Sequence, residues 1–454
     1  MRFLMRISML TPGTGYFYCG NCLRENTLAH ALIKLDHDVT MIPLYLPFFT
    51  EGEPPPQTQR VFLGGINIYL QHKLPLFRKI PGFLTRVLDS PRLLRWSSKQ
   101  GDMTDAEKHA DLVLATLRGE EDGQMTEITR LLQWMRHNDR PDVVSLCNIL
   151  LTGLARSIKD ELKVPIVSTL HGEDAFLDAL PEPQRSEAWD ILRERVKDID
   201  AFIAVSEYYA RQMQSRLDID RDRIHVIHNG IDLEDMDDIS PRTPGTPGTS
   251  DTTPPTIGYL ARMCPDKGLH TLVDAFIELK RRATIDHLQL KIAGVELKVD
   301  RPFIRDLQSK LRKANCLELA SFSPNISREA KLEFLQSLDV LSVPATYGES
   351  FGLYTIEALA CWVPIVQPRH GAFPEIIERT GGGILCEPDD PQSLADELER
   401  LLSDHELAQT LSERGHKAVF DHFTAERMAR DVMDVYHKIT KPEHTEARPS
   451  MSPA

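Results

Sequence analysis

Residues 344–364 read PATYGESFGLYTIEALACWVP, and their pattern decides the fold class. An apolar strand over residues 338–343 runs into a polar, glycine-punctuated turn, and a helix follows the turn. In an open α/β sheet, ligands bind beyond the carboxyl ends of the strands. A helix N-terminus at that position offers free backbone N–H groups, which suit phosphate. The segment therefore predicts an α/β protein with a parallel sheet and a phosphate-binding turn.

Two carboxylates accompany this turn. Glu349 lies on it, and Glu357 follows eight residues later, about two helical turns further on. A carboxylate repels phosphate but accepts hydrogen bonds from hydroxyl groups. Phosphate on the helix N-terminus and hydroxyls on two acids describe a sugar nucleotide, whereas the alternative is a surface turn with a capping glutamate. The predicted donor site also includes the residues that lead into the helix, Ser350, Phe351 and Gly352.

A second strand-to-helix unit lies upstream, where residues 257–276 read IGYLARMCPDKGLHTLVDAF. Its loop carries Arg262 and Lys267, and Gly268 opens the helix. Arginine binds as a planar fork and lysine as a compact point charge, so the pair suits a pyrophosphate. Two solvated surface cations are the alternative, since most lysines and arginines are exposed. The combination with the two acids favours the donor site.

These motifs together resemble family 4 of the retaining glycosyltransferases. The similarity covers residues 5–436 and includes VSE from Val205, VIHNGID from Val226, TLHG from Thr169 and PEII from Pro374. The resemblance implies an α/β fold of the GT-B architecture, in which two Rossmann-like doubly wound parallel-sheet domains face each other across a cleft.

The resemblance also assigns roles to individual residues. Arg262 and Lys267 would hold the donor pyrophosphate, and Glu357 would take the ribose hydroxyls. Glu349 would contact the transferred sugar and His171 would lie beside its anomeric centre, which makes these two the predicted catalytic residues. The nucleoside-diphosphate sugar is a co-substrate, so no cofactor is expected, and GT-B enzymes generally work without a metal.

Six segments follow from the resemblance and from local composition. They are an acceptor-side domain over residues 1–238, a variable acceptor insertion within it at 45–135, a proline- and glycine-rich linker at 239–255, a donor-binding domain at 256–418, a helix within 419–440 that crosses back to the first domain, and a tail of disordered composition at 441–454.

The N-terminal segment 11–22, TPGTGYFYCGNC, is a glycine-rich loop before a predicted helix. Gly15 and Gly20 lack a Cβ and let the backbone approach a ligand; the resemblance places this loop opposite the donor phosphates. Cys19 and Cys22 leave three interpretations. They could be half of a zinc site, for which no second pair exists in the sequence, or a redox pair, or small packing residues. Packing is favoured.

Length and charge exclude several classes of protein. With 454 residues the chain is too long for one ordinary core, so two domains are expected. The net charge of −14 argues against nucleic acid as a partner. No segment approaches the run of about twenty apolar residues that a membrane span needs. Seven cysteines fit a reducing compartment, and we expect a cytoplasmic location.

Residues 69–99 differ from the acidic remainder of the chain. From Lys73 to Lys99 there are seven Lys or Arg residues against one Asp, interleaved with apolar residues. This pattern is typical of contact with an anionic membrane surface, which would make the protein peripheral at the inner face. The alternative is a set of short helices that pack on the first domain. Three prolines interrupt the segment and favour packing.

The sequence thus predicts transfer of a hexose from a nucleoside-diphosphate sugar to a hydroxyl acceptor on a glycan, a glycolipid or a small molecule, with retention of configuration. Two rivals stay open because a fold does not fix chemistry. One is a sugar-nucleotide epimerase or a phosphorylase of the same fold. The other is a non-catalytic sugar-nucleotide-binding protein.

Overall fold

The computed structural model describes residues 4–13, 20–45, 106–119, 125–138, 140–237, 239–240 and 254–440. Several predictions fall outside these residues and stay predictions. They concern Gly15, Cys19, the basic segment 69–99, residues 241–253 of the linker and the tail 441–454.

The described residues of the N-terminal half form one sheet of six parallel strands, in the order β2-β1-β3-β4-β5-β6. The strands are β1 (Arg6–Thr11), β2 (Asp38–Pro43), β3 (Val143–Leu146), β4 (Ile166–Leu170), β5 (Ala201–Ala204) and β6 (Ile224–Val226). The helices are α1 (Gly20–Lys34), α2 (Ala106–Arg118), α3 (Met125–Asn138), α4 (Ala155–Leu162), α5 (Glu173–Asp178), α6 (Gln184–Arg195) and α7 (Glu207–Leu217). The strands are apolar and buried because helices cover both faces of the sheet.

The described residues of the C-terminal half repeat this plan, with the strand order β12-β11-β10-β7-β8-β9. The strands are β7 (Thr256–Leu260), β8 (Gln289–Gly294), β9 (Ala320–Pro324), β10 (Val340–Leu341), β11 (Ile365–Pro368) and β12 (Gly383–Cys386). The helices are α8 (Leu269–Arg282), α9 (Arg301–Lys313), α10 (Arg328–Gln336), α11 (Leu353–Ala360), α12 (Phe373–Thr380), α13 (Pro391–Ser403), α14 (His405–His422) and α15 (Ala425–Thr440). Two doubly wound parallel sheets confirm the predicted fold class.

One strand is shorter than its sequence predicts. The apolar run 338–343 contributes only Val340–Leu341 to the ladder. The N–H of Val343 donates instead to the side-chain Oε1 of Gln367, at 3.2 Å, and the next residue, Pro344, has no N–H to donate. The backbone therefore leaves the sheet early and enters the turn that carries Glu349.

The order of strands fixes where ligands can bind. Each half has a switch point, at which the connections leave toward opposite ends of the sheet: between β1 and β3 in the first sheet, and between β7 and β10 in the second. In doubly wound folds this point opens a crevice at the carboxyl ends of the strands. The loops after β7 and β10 are the two that carry the predicted donor motifs.

The chain passes between the halves twice, and the two passages touch. Ile231 forms an isolated parallel bridge with Thr424. The N–H of Ile231 donates to the carbonyl of Phe423, and the N–H of Ala425 donates to the carbonyl of Ile231, both at 2.9 Å. A Cβ on Gly230 would lie 2.2 Å from the Thr424 carbonyl oxygen, so only glycine permits this approach.

Helix α15 lies on the N-terminal half. Its buried residues Met428, Val432 and Tyr436 share a core with Ile7 of β1 and Leu28 of α1. The predicted segment 419–440 begins earlier than this helix, because residues up to His422 belong to α14. The last described helix thus follows the second sheet in the chain but packs on the first.

Candidate active site

Lys267 and Glu349 meet at the switch point of the second sheet. The ammonium of Lys267 donates to Glu349 Oε2 and to the hydroxyl of Tyr347. Two phenols also donate to this carboxylate oxygen, Tyr347 at 3.2 Å and Tyr354 at 3.1 Å. The structure thus brings together two residues predicted from separate motifs, 82 positions apart in the chain.

Close packing holds the lysine loop against the glutamate turn. Gly268 has φ +68°, and a Cβ at this position would lie 1.7 Å from the carbonyl oxygen of Pro344. A side chain there would push the two loops apart, so the glycine is required by both its conformation and its contact. Gly371 plays a similar part on the other side, since its Cβ position is 2.6 Å from the backbone nitrogen of Glu349.

The charges in this cluster stabilise one another. Burial works against the ammonium of Lys267, but the neighbouring Glu349 and Tyr347 outweigh it and raise the Lys267 pKa. Burial and the Glu349 carboxylate raise the pKa of Tyr347 and of Tyr354, so both phenols are neutral donors at physiological pH. The result is a preformed site with one fixed cation and one fixed anion.

Arg262 lies on the same loop as Lys267 but has a different partner. Its Nε and Nη2 bind the two oxygens of Asp300 at 3.0 and 2.9 Å. The arginine side chain is 35% exposed, whereas that of Asp300 is 4% exposed. The buried acid thus holds the guanidinium from its protein side and leaves its other side to the solvent. A guanidinium has five N–H donors, and Nη1 with one Nη2 hydrogen is left for a ligand. The hydroxyl of Tyr259 donates to the Arg262 carbonyl at 2.7 Å and so helps to fix the loop backbone at this residue.

Helix α11 points its N-terminus into the same region. Gly352 has φ +80°, and no side chain caps the helix start that it forms. The first-turn N–H groups of a helix have no intrahelical partner, which leaves them for an anion. A Cβ on Gly20, at the start of α1, would come within 3.8 Å of Leu353 Cδ1. The start of α1 therefore faces this helix end from the opposite half.

Glu357 is in the second turn of α11, one turn beyond Tyr354. Its Oε1 accepts from the ammonium of Lys331 on α10, at 2.7 Å. Both side chains are largely buried, at 6% and 10% exposure. Within the described residues, Glu357 makes no hydrogen bond to the Lys267–Glu349 cluster. It therefore belongs to a second polar group on the same helix, formed with Lys331.

His171 directly follows β4 in the N-terminal half. Its Nε2 lies 2.7 Å from the Cys147 carbonyl oxygen, which only accepts, so Nε2 carries the proton and Nδ1 is free to accept. Burial, and then the charge of Arg24, lower the His171 pKa to about 3. The imidazole is therefore neutral throughout the physiological range.

A chain of serines joins His171 to the donor turn. Ser350 Oγ donates to the His171 carbonyl at 3.0 Å, and Ser206 Oγ donates to the Ser350 carbonyl at 2.7 Å. Gly172 has φ +116°, and its Cβ position is 3.2 Å from Ser350 Oγ. The two halves thus contact each other at the turn that separates Glu349 from helix α11.

Several residues of the site were not predicted from the sequence. Tyr347 and Tyr354 lie within the motif that was quoted, and their spacing around Glu349 was the available signal. Lys331 had no such signal, since only the structure shows that it lies on the buried face of α10, one turn before Leu335. Asp300 had none, because its pairing with Arg262 depends on the return of the chain after β8.

Two features are absent from the described residues. No helix among them is long and apolar enough to cross a membrane. No group of three or more histidine, cysteine or acidic side chains in this part of the chain could hold a metal ion. Cys22 is buried, and Cys19, the other cysteine of the C-x-x-C pattern, lies outside the described residues.

Comparison with known proteins finds relatives for both halves of the chain. Residues 113–235 match the family model of glycosyltransferase family 4, and residues 247–418 match that of glycosyl transferases group 1. A D-inositol 3-phosphate glycosyltransferase from Xylanimonas cellulosilytica is 28% identical over 293 residues, which are 61% of this chain and 67% of the relative.

Solved structures share the fold at low identity. Sucrose-phosphate synthase from Thermosynechococcus elongatus superposes with a TM-score of 0.68 at 16% identity, over 95% of this chain and 98% of that one. Anabaena HepE, solved in complex with UDP-glucose, superposes with a TM-score of 0.63 at 15% identity, over 96% and 100% of the two chains. With both halves matched in sequence and the two-sheet architecture matched in structure, the chain belongs to glycosyltransferase family 4 and is a glycosyltransferase of the GT-B fold.

Proposed function

We propose that this glycosyltransferase transfers a hexose from a nucleoside-diphosphate sugar to a hydroxyl acceptor, with retention of the anomeric configuration. The observation that carries the proposal is the convergence of Lys267, Glu349 and the uncapped N-terminus of α11, across from the turn of His171. A diphosphate needs the cation and the N–H groups, and a sugar needs the carboxylate. The HepE complexes with UDP and UDP-glucose support a nucleotide sugar as the donor.

Donor binding would change the partner of Lys267. In the structure its ammonium neutralises Glu349. A diphosphate carries more negative charge than one carboxylate and would draw the ammonium toward itself. Glu349 would then turn an oxygen to the sugar hydroxyls, while the phenols of Tyr347 and Tyr354 keep hold of the carboxylate. The ion pair with Lys267 and the two phenols thus hold in place the anion that the sugar requires.

The reaction needs stabilisation of separated charge. As the glycosidic bond breaks, negative charge grows on the diphosphate and positive charge on the sugar ring. Arg262, Lys267 and the α11 N-terminus are fixed in advance to meet the first. The neutral ring of His171 does not repel the second. No carboxylate of these motifs is an evident nucleophile, so we propose front-face attack by the acceptor hydroxyl, with a donor phosphate oxygen as the base.

A two-step experiment tests the proposal. First, uridine, adenosine and guanosine diphosphates are screened by thermal shift; a ligand at a hundred times its Kd adds about 2.7 kcal/mol of stability. The sugar nucleotides of the base that binds are then incubated without an acceptor. A transferase releases nucleoside diphosphate slowly, whereas an epimerase forms a new sugar nucleotide. Formation of the epimer, or binding without any turnover for every donor, would overturn the proposal.

Two variants link activity to the site. Lys267→Ala and Glu349→Ala should each lower turnover by about a hundred-fold or more, because each loses a contact to the transition state. Lys417→Ala is the matched control, since Lys417 is exposed on α14 and pairs only with Asp421 on the same helix among the described residues. Near wild-type rates in either site variant would contradict the assignment.

A further inference from the structure

The ion pair between Lys331 and Glu357 is unusual because it is buried, on the face of α10 that packs against the rest of the protein. Lys331 lies on the buried face of α10, together with Leu335. Its ammonium reaches Glu357 Oε1 at 2.7 Å, and the two side chains are 10% and 6% exposed. Burial raises the pKa of the adjacent Cys361 thiol to about 12, with the Glu357 carboxylate acting in the same direction. The pair therefore lies in surroundings poor in water.

Such a pair is a poor means of stabilising a fold. Removing two charges from water costs several kcal/mol, and the attraction between them repays this only in good geometry. Apolar residues of the same volume are often equally or more stabilising at such a position. The presence of Lys331 on an otherwise apolar helix face thus calls for another reason.

The geometry of Glu357 suggests that reason. Within the described residues its Oε1 binds Lys331 and its Oε2 makes no hydrogen bond, so one oxygen is fixed and the other is available. Glu357 is four residues from the start of α11, which is about 6 Å along the helix axis. Helical side chains lean toward the N-terminus, so the Glu357 carboxylate is directed toward the end of α11 at which the diphosphate is proposed to bind.

We propose that Lys331 is a positioning residue that holds the Glu357 carboxylate in one orientation, so that its second oxygen accepts hydrogen bonds from the ribose hydroxyls of the donor nucleotide. This inference rests on the proposed function. Lys331 itself need not touch the ligand. Without the ammonium, a carboxylate in this water-poor position loses its hydrogen-bond partner and rotates toward solvent, so the ribose loses its acceptor.

The test measures discrimination between ribose and its deoxy form. UDP, ADP and GDP are titrated calorimetrically beside their 2′,3′-dideoxy analogues, and the pair that binds is used. The wild type should prefer the ribose form. Lys331→Met should weaken binding of that form by about ten- to hundred-fold, the loss of hydrogen bonds to a charged group, and leave the dideoxy form unchanged. The preference should shrink accordingly.

Three further variants separate positioning from damage. Lys331→Arg keeps a cation and should restore most of the ribose preference. Combining Lys331→Met with Glu357→Gln should be no worse than Glu357→Gln alone, because both changes remove one contact. Lys310→Met is the matched control, since Lys310 pairs with Asp274 on the half-exposed surface of the same half. It should leave both affinities unchanged.

The outcomes distinguish the inference from the function beneath it. If no nucleoside diphosphate binds the wild type, the proposed function fails. If the wild type prefers ribose and Lys331→Met keeps that preference, only the inference fails. If Lys331→Met weakens both forms equally, the lysine is structural and the inference also fails. Should Lys331→Met not fold, the arginine variant and the double variant decide.

Discussion

The carboxyl group of Glu173 shows how strongly one residue can depend on its surroundings. It is buried directly after the His171–Gly172 turn. Its Oε2 accepts from both backbone nitrogens of that turn, at 2.9 and 3.1 Å, and from Tyr209 at 3.1 Å. Burial raises the Glu173 pKa to about 7 despite these hydrogen bonds. The turn that presents His171 is therefore held by a group that titrates near neutral pH.

A pH-dependent stability follows from this shift. An acid whose pKa is raised from 4.5 to about 7 by folding stabilises the fold fully below pH 4.5, and this contribution is lost as the pH rises through 7. The total is on the order of 3 kcal/mol. Glu173→Gln removes the titration, so the wild type should lose stability relative to this variant between pH 4.5 and 7. Urea unfolding of both proteins at several pH values measures the difference. Parallel curves would contradict the shift.

At the scale of secondary structure, helix α7 depends on one serine for two contacts. Ser206 Oγ accepts from the N–H of Tyr209 at 3.1 Å and so caps the helix. The same oxygen donates its hydrogen to the carbonyl of Ser350 on the donor turn. A helix of the N-terminal half is thus fixed at its first turn to the active-site loop of the other half.

Removing this hydroxyl should affect stability and activity together. Ser206→Ala loses a cap worth about 1 kcal/mol and also the contact to the donor turn. We expect a lower Tm and a raised KM for the donor. Asp404→Ala is the control: Asp404 caps α14 through the N–H of Leu407, on an exposed surface. It should lower the Tm similarly and leave the KM unchanged. An unchanged KM in Ser206→Ala would show that the serine only caps.

At the scale of the whole molecule, one carboxylate joins the two halves. Glu375 on α12 accepts from the N–H groups of Glu207 and Tyr208 at 3.0 and 3.2 Å, and its Oε1 lies 2.6 Å from the ring nitrogen of His228. Burial alone would raise the Glu375 pKa, but the hydrogen bonds from His228 and from α7 lower it. An acid of the C-terminal half thus occupies the N-terminus of a helix in the other half.

Loss of Glu375 should favour an open molecule. Glu375→Ala leaves the first N–H groups of α7 and the ring of His228 without their acceptor, so the closed arrangement loses stability relative to the open one. We expect a larger radius of gyration in small-angle scattering without ligand, and a partial return when the donor nucleotide is added. Glu378→Ala, an exposed acid on the same helix, should scatter as the wild type does. Equal radii for all three proteins would refute this role.

Local pattern and chain order made the fold predictable. Strands of continuous apolar residues alternate with helices, and the two glycine-punctuated turns follow strands that proved to be adjacent at a switch point. Lys267 and Glu349 were predicted from such local signals. Partners that come from a third element were not predictable, because nothing near Arg262 in the sequence indicates Asp300, and nothing near Glu357 indicates Lys331.

Trp362 shows a backbone conformation that a local motif does not reveal. The structure gives it φ +63°, a conformation that glycine adopts most readily. Its indole stacks on His416 at 3.8 Å between ring centroids and donates to the carbonyl of Ile239 at 2.8 Å. These contacts offset the strained backbone. Such compensation depends on two distant segments and is invisible in a local motif.

The bridge between Ile231 and Thr424 has a mechanical consequence. Two chain passages that are hydrogen-bonded side by side act as a hinge between the two halves. They permit rotation of the halves about that edge and oppose sliding or twisting of one half against the other. The hinge lies at the start of α15, so this helix, which packs on the N-terminal half, forms the fixed side of the hinge. Cleaving the chain just before Ala425 would leave a single covalent connection between the halves, and their relative rotation would no longer be confined to one axis.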